Sequence, residues 1–140
     1  MKWMLAALVM VSAMVHGCAA NGDGERGPGG ALADTSWVYT PSKYDARPQT
    51  LVFENREGQL GVSGYAGVNR YSGTAMMSGR RSGTLTFSPL ASTKMAGSPE
   101  ANVQEQTFLE SLAAVNQWER DGTRLTLMTT AGRTLMFERE

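Results

Sequence analysis

The chain has 140 residues, and its 13 Lys and Arg residues balance its 13 Asp and Glu residues, so the formal net charge is zero. Without a basic block, the chain lacks the charge pattern that nucleic-acid binding requires, and we expect no nucleic-acid partner. Its only histidine and its only cysteine are His16 and Cys18, both close to the N-terminus.

The first residues are typical of a bacterial secretory signal. Lys2 precedes an apolar stretch over residues 5–15, which is shorter than the roughly 20 residues that a membrane-spanning helix needs. The run that ends in Cys18 is similar to the processing site of a lipoprotein, where the signal peptide is cut before the cysteine and the thiol carries lipid. We therefore predict a lipoprotein signal peptide over residues 1–17 and lipid on Cys18. Ordinary signal cleavage after Ala20 is the alternative.

Cleavage before Cys18 would leave a chain without histidine and without an unmodified thiol. Ser-His-Asp and Cys-His catalysis both need a histidine base. Zinc and copper sites built from His and Cys need the same two residue types. We therefore predict no enzyme activity, no cofactor and no metal site.

A glycine-rich stretch follows Cys18. Residues 18–33 contain no aromatic side chain, so they cannot bury enough surface to offset the entropy lost on ordering. We predict a flexible tether over residues 18–33 and a single folded domain over residues 34–140, whose length suits one hydrophobic core.

The folded part is predicted to consist mostly of β-strands. Short apolar runs recur along it, and several alternate apolar with polar side chains, as half-buried strands do. Turn signals such as Glu57-Gly58 and Asp121-Gly122 separate the runs, and the second of these predicts a β-hairpin. The apolar runs are residues 37–39, 51–53, 60–62, 71–77, 84–87, 125–128 and 134–137.

One helix is predicted within this series of strands. Ser98 supplies an N-cap, Pro99 suits the first helical position, and Glu100 places negative charge at the positive end of the helix dipole. The predicted apolar face contains Phe108, Leu109, Leu112 and Ala113. We expect a helix over about residues 99–114 in a mainly β domain. The fold class is a small antiparallel β-barrel-like (lipocalin-like) domain, because closing the sheet removes exposed strand edges.

Four segments, in this order, resemble the META domain family, which includes heat-inducible lipoproteins of the HslJ type. The segments are residues 36–39, residues 63–73 with a glycine-rich signature, residues 90–97 followed by the helix that contains residues 108–112, and the closing hairpin of residues 125–127 and 135–137. The resemblance covers nearly all of the folded part. It implies a role in stress tolerance or envelope integrity, with no defined ligand.

Two departures from the family pattern concern cysteines. The resemblance implies a disulfide between the positions that Val68 and Gly97 occupy here, and both cysteines are missing together. Losing only one would leave a free thiol in an oxidising compartment. We expect packing, with Val68 as an apolar plug, to replace the roughly 3–4 kcal/mol that a disulfide closing this loop would contribute.

The glycine-rich segment contains the candidate site residues. Glycine permits positive φ or close backbone approach, and asparagine bonds to nearby backbone, so we predict a structural corner between two strands. The alternative is that the polar side chains of this segment recognise a ligand. The candidates are Gly64, Gly67, Asn69, Arg70, Tyr71 and Gly73.

These features together predict a non-catalytic, lipid-anchored protein of the bacterial envelope. Lipid on Cys18 would attach the chain to a membrane, and Ala19 resembles the sorting signal for the outer membrane, facing the periplasm. An unknown envelope protein is the other expected partner, and the oligomeric state stays open.

Two alternative functions remain open at this level. The first is a binding module that inhibits a hydrolase or docks on a protein through loops such as Arg80-Arg81. The second is a carrier of a small apolar ligand inside the barrel. A carrier needs an apolar cavity. Its interior would be lost if the barrel were filled by Phe53, Leu85, Phe87, Leu127 and Phe137.

Overall fold

Within residues 30–140, which a computed structural model describes, the chain forms nine strands and one α-helix. Residues 1–29, with the predicted signal peptide, Cys18 and most of the predicted tether, lie outside the described part. The strands are β1 (Thr35–Tyr39), β2 (Thr50–Arg56), β3 (Gln59–Tyr65), β4 (Arg70–Met77), β5 (Ser82–Phe87), β6 (Ala91–Ser92), β7 (Val115–Asp121), β8 (Arg124–Thr129) and β9 (Thr134–Arg139). The helix α1 spans Pro99–Ala113.

Eight of these strands close into an antiparallel barrel. From β1 to β5 each strand is hydrogen-bonded to the next, then β5 pairs with β7, and β8 and β9 lead back to β1. The short β6 pairs with β4 beside the end of β5, so it continues the wall after a break at residues 88–90. The predicted fold class, a mainly β antiparallel barrel with one inserted helix, is confirmed.

Tight turns connect two of the hairpins. Glu57 and Gly58, between β2 and β3, have φ values of 51° and 84°. Positive φ at both positions is what a two-residue hairpin turn favours. The hairpin predicted at Asp121-Gly122 is also present, because Asp121 pairs with Arg124 across the turn between β7 and β8.

Strand β7 is not predicted by the apolar pattern. Its buried apolar side chains, Val115 and Trp118, are three residues apart because a bulge lies between Val115 and Gln117. The bulge breaks the period of two by which strands are identified. The two residues of β6 are too few to form a pattern at all.

Side chains fill the barrel interior. Phe53, Leu85, Leu127 and Phe137 are fully buried, as are the two tryptophans of the barrel wall. Phe87 is half-buried, and its ring stacks on Phe53 with 6.3 Å between centroids. Four of the five side chains that were predicted to fill the interior are therefore fully buried, and the fifth is half-buried and stacked on Phe53.

Helix α1 covers one end of the barrel. Ser98 caps it, since its side chain accepts a hydrogen bond from the backbone N–H of Ala101 at 3.2 Å. Phe108 is the main contact, with its ring centroid 5.3 Å from that of Tyr39. Ala113 was expected on the buried face but is exposed, and Ser111 is buried instead. Within the described residues, no helix is long and apolar enough to cross a bilayer.

The N-terminal residues 30–33 cover the other end of the barrel. Gly30–Leu32 form a turn of 3-10 helix, and the Leu32 side chain is fully buried. The carbonyl of Ala31 accepts a hydrogen bond from Arg120 at 2.8 Å, and that of Leu32 accepts one from Thr35 at 2.6 Å. The folded domain therefore includes residues 30–33, which the sequence analysis assigns to the tether.

Truncation of Leu32 tests this boundary. We expect Leu32→Ala to lower the free energy of unfolding by about 2–5 kcal/mol, because the change leaves a cavity in the core. The matched control is Val103→Ala on α1, where the side chain is 63% exposed and we expect a change within about 0.5 kcal/mol. Chemical denaturation measures both. Equal, small effects of the two substitutions would contradict the inclusion of residues 30–33 in the core.

Candidate functional site

The glycine-rich segment forms the end of β3, the turn that follows, and the start of β4. Gly64 lies where β3 passes close to β2: a Cβ atom there would be 2.2 Å from the carbonyl oxygen of Thr50. Tyr71 is buried, and its hydroxyl donates a hydrogen bond to the same Thr50 oxygen at 2.6 Å. Burial raises the pKa of Tyr71, so the phenol stays protonated as a donor. A side chain at position 64 would disrupt this contact.

Of the other two glycines, Gly67 is favoured by its backbone conformation and Gly73 by a close contact. Gly67, in the turn, has a φ of 133°, and a Cβ atom there would lie 3.5 Å from the Cβ of Glu105 on α1. At Gly73 a Cβ atom would lie 2.8 Å from the Cδ2 of Leu90. The segment is thus held between α1 on one side and the break after β5 on the other.

Asn69 joins three segments of the chain through its side-chain amide. Its Nδ2 donates hydrogen bonds to the carbonyl of Met95 at 3.0 Å and to Oε1 of Glu105 at 2.8 Å. Its Oδ1 accepts hydrogen bonds from the hydroxyl of Thr93 at 2.8 Å and from the N–H of Met95 at 2.7 Å. The side chain, only 5% exposed, has every donor and acceptor used. We call Asn69, Thr93, Met95 and Glu105 the Asn69 centre.

Glu105 holds α1 to this turn. Its Oε2 accepts hydrogen bonds from the backbone N–H groups of Val68 at 2.8 Å and Asn69 at 2.6 Å. Partial burial acts to raise the pKa of Glu105. The hydrogen bonds from Asn69 and Val68, together with the charge of Lys94, outweigh it and hold that pKa below its usual value. The carboxylate therefore stays ionised and acts as an anchor for the turn.

Arg70 differs from the other candidate residues. Its backbone N–H donates to the hydroxyl of Thr93 at 3.3 Å, but its side chain is exposed on the outer face of β4. The other five candidates contribute to the corner between β3 and β4. The proposed lipidation residue, Cys18, lies outside the described residues.

Sequence reasoning did not identify Glu105 and Thr93 as parts of this centre. Glu105 lies off the predicted apolar face of the helix, and nothing local to it indicates a partner 36 residues away. Thr93 and Met95 belong to the segment of residues 90–97 that carries part of the family resemblance. The sequence shows the order of those segments. It does not show that they meet at Asn69.

The buried polar groups of the Asn69 centre are all hydrogen-bonded. In the described part of the chain, every buried side-chain nitrogen or oxygen has a hydrogen-bond partner. Nor do residues 30–140 contain a group of three or more His, Cys, Asp or Glu side chains placed to hold a metal ion. The hydrogen bonds of this arrangement stabilise the fold.

Val68 and Gly97 lie against each other beside this centre. A Cβ atom on Gly97 would be 2.5 Å from Cγ2 and 3.2 Å from Cγ1 of Val68. The valine methyl groups therefore occupy the space that a side chain at position 97 would need. This contact agrees with the expectation that Val68 is an apolar plug.

Neutralising Glu105 tests the anchor. We expect Glu105→Gln to lower the free energy of unfolding at pH 7 by about 1.5–3 kcal/mol, because hydrogen bonds to a charged acceptor are lost. The folded-state pKa is depressed, so the carboxylate stabilises the fold above its unfolded value of about 4.5, and this contribution is lost as the pH falls through the folded-state pKa. Denaturant titrations from pH 7 to pH 3 should show the two proteins converging.

The control is Glu110→Gln on the same helix, where the side chain is exposed and bonds only to Gln106. We expect this variant to remain within about 0.5 kcal/mol of the wild type at every pH. A Glu105→Gln effect that is independent of pH would contradict an anchoring role for the ionised carboxylate.

Restoring the two missing cysteines tests the contact between Val68 and Gly97. In a Cys18→Ser background, we expect Val68→Cys/Gly97→Cys to form a disulfide and to raise the free energy of unfolding by roughly 3–4 kcal/mol, because the cross-link constrains the unfolded chain. Thiol titration and thermal unfolding, with and without reductant, measure both effects. Gly97→Ala alone should destabilise the domain, since its Cβ would displace Val68. Free thiols in the oxidised double variant would show that the two positions are not adjacent.

The comparisons with known proteins agree with this architecture. A family model for the META domain matches residues 31–140. An NMR structure of a protein from Burkholderia xenovorans is similar, with 29% identity and a TM-score of 0.66 over 78% of this chain and 83% of that chain. A second NMR structure has 27% identity and a TM-score of 0.59 over 76% of this chain and 90% of that chain. Among curated proteins, none matches significantly. The chain belongs to the META domain family.

Proposed function

We propose that this protein is a non-catalytic binding domain of the bacterial envelope, held at a membrane by lipid on Cys18. The N-terminal sequence supports the location, since Lys2, the apolar stretch over residues 5–15 and Cys18 follow the order of a lipoprotein signal. The family resemblance supports a role in stress tolerance or envelope integrity. Ala19 after the cysteine supports the outer membrane as the site of anchoring.

One observation carries the non-catalytic assignment: the polar side chains of the Asn69 centre are engaged in hydrogen bonds within the fold. The amide of Asn69 and the carboxylate of Glu105 are engaged by hydrogen bonds within the chain. The sequence also contains no histidine after His16 and no cysteine after Cys18. General acid–base and nucleophilic catalysis would need such groups to be available to a substrate.

The filled interior bears on the two alternative functions. A carrier would hold its apolar ligand where Phe53, Leu127 and Phe137 pack, and these side chains are fully buried. A binding module uses its outer surface, which the closed barrel leaves accessible. The packed interior supports recognition on the outer surface rather than storage of a ligand in the lumen.

Substitution of the cysteine tests the anchor. In cells given labelled fatty acid, we expect label in the wild-type protein and none in Cys18→Ala, which should leave the membrane fraction. Arg81→Ala, at the exposed turn between β4 and β5, is the control and should stay labelled and membrane-bound. Label in Cys18→Ala, or an unmodified N-terminus at residue 21 in the wild type, would contradict lipid anchoring.

The envelope role is tested in a strain that lacks the gene. We expect this strain to lose viability on heat shock or detergent exposure, and the wild-type gene to restore it. Complementation by Cys18→Ala should fail if the domain acts at the membrane. Full complementation by a variant that stays soluble would contradict a membrane-bound role.

A further inference from the structure

A groove of about 740 Å³ runs along the outside of the barrel over β2, β3 and β4. We call it the arginine groove, and the lining side chains that matter here are Arg47, Val52, Ser63, Tyr65, Arg70 and Ser72. Successive side chains of a strand point to opposite faces, so these residues of the strands point outward while their neighbours fill the core. The groove lies outside the barrel interior, and it borders the Asn69 centre at Thr93.

Tyr65 contacts one arginine of this groove and is paired with a second across β3 and β4. The guanidinium carbon of Arg47 lies 4.1 Å from the centroid of the Tyr65 ring, which is cation–π geometry. Arg70 is the residue directly opposite Tyr65 in the pairing of β3 with β4. Directly opposed residues have Cβ atoms about 4.5–5.5 Å apart. One ring therefore has a guanidinium group against it and a second arginine beside it.

Neither arginine is neutralised within the described part of the chain. The ion pairs among residues 30–140 join Lys43 to Glu138 and Arg56 to Glu54. Glu140 borders the groove but lies beyond salt-bridge distance from both groove arginines. An anion in the groove would be attracted to both arginines. Guanidinium groups suit a carboxylate or phosphate in particular, because they bind it through two parallel hydrogen bonds.

The remainder of the groove presents hydroxyl groups. Ser63 and Ser72 lie directly opposite each other, and Val52 lies opposite Ser63 on the neighbouring strand. Both serine hydroxyls can donate and accept hydrogen bonds toward a ligand. Strand β3 is paired with β2 and β4 on its two sides, so no free strand edge is offered to an added peptide strand. These features favour a ligand that carries hydroxyl groups together with negative charge.

We propose that the arginine groove binds an acidic oligosaccharide. A sugar carboxylate lies between the guanidinium groups of Arg47 and Arg70, and sugar hydroxyls bond to Ser63 and Ser72. The volume lies within the 300–1,000 Å³ of typical ligand sites. This inference rests on the proposed binding role and names its ligand, but it is independent of lipid on Cys18. Fatty-acid labelling and ligand titration can therefore fail separately.

Calorimetric titration of the full chain in detergent tests the proposal, with trigalacturonic acid as the probe. Its fully methyl-esterified form is the matched control, since it has the same sugars without the charges. We expect binding of the acid, weakening as salt is added, and at least about tenfold weaker binding of the ester. Arg47→Ala and Arg70→Ala should each weaken binding of the acid about tenfold or more, whereas Arg81→Ala should not change it.

The serines separate a saccharide from other anions. We expect Ser63→Ala/Ser72→Ala to weaken binding of trigalacturonic acid several-fold while the folded state remains intact by circular dichroism. A triglutamate peptide should bind more weakly than the saccharide and should not respond to the serine substitutions. Absence of binding, equal binding of the ester, or wild-type affinity in both arginine variants would overturn the proposal. Equal affinity for triglutamate would show that the groove recognises negative charge alone, and this result would also overturn the proposal.

Discussion

The hydrogen bonds around Asn69 are the interaction on which the rest of this structure depends. The helix α1 is inserted between two strands of a closed barrel and needs a fixed attachment. Glu105 provides it, because its carboxylate accepts three hydrogen bonds from N–H groups of the turn before β4. Each hydrogen bond contributes only about 1 kcal/mol net, but a buried polar group left without a partner costs about 1–3 kcal/mol. Removing Asn69 would leave several such groups at once, so the turn, the segment of residues 93–95 and the helix are held as a unit.

This attachment explains how the domain manages without a disulfide. The two positions at which the family resemblance implies cysteines lie beside the Asn69 centre, where Val68 fills the space next to Gly97. The ionised Glu105 and the packed valine together join the same segments that a cross-link would join. The polar side chains of the corner are committed to this task, whereas Arg47 and Arg70, which border the groove over β2, β3 and β4, are exposed to solvent.

Much of the fold could be predicted from the sequence, because its signals are local. Alternation of apolar and polar residues identified most of the barrel strands, and the Ser98 cap with Pro99 placed the start of α1. The two features that the sequence did not predict, strand β7 and the burial of residues 30–33, also have local causes. A bulge after Val115 removes the alternation from β7, and residues 30–33 look like a glycine-rich linker until Leu32 is seen in the core.

The sequence by itself determined the class of fold, the place of the helix and the absence of histidine and cysteine from the domain. These properties follow from residue type, from periods of two or about four residues, and from turn chemistry. Only the tertiary structure decided that Asn69 meets Glu105 across 36 residues, that Arg47 packs on the Tyr65 ring, and that Arg70 pairs with Tyr65 across two strands. Such contacts depend on the register in which barrel closure aligns strands that are distant in the sequence. No local sequence pattern specifies that register.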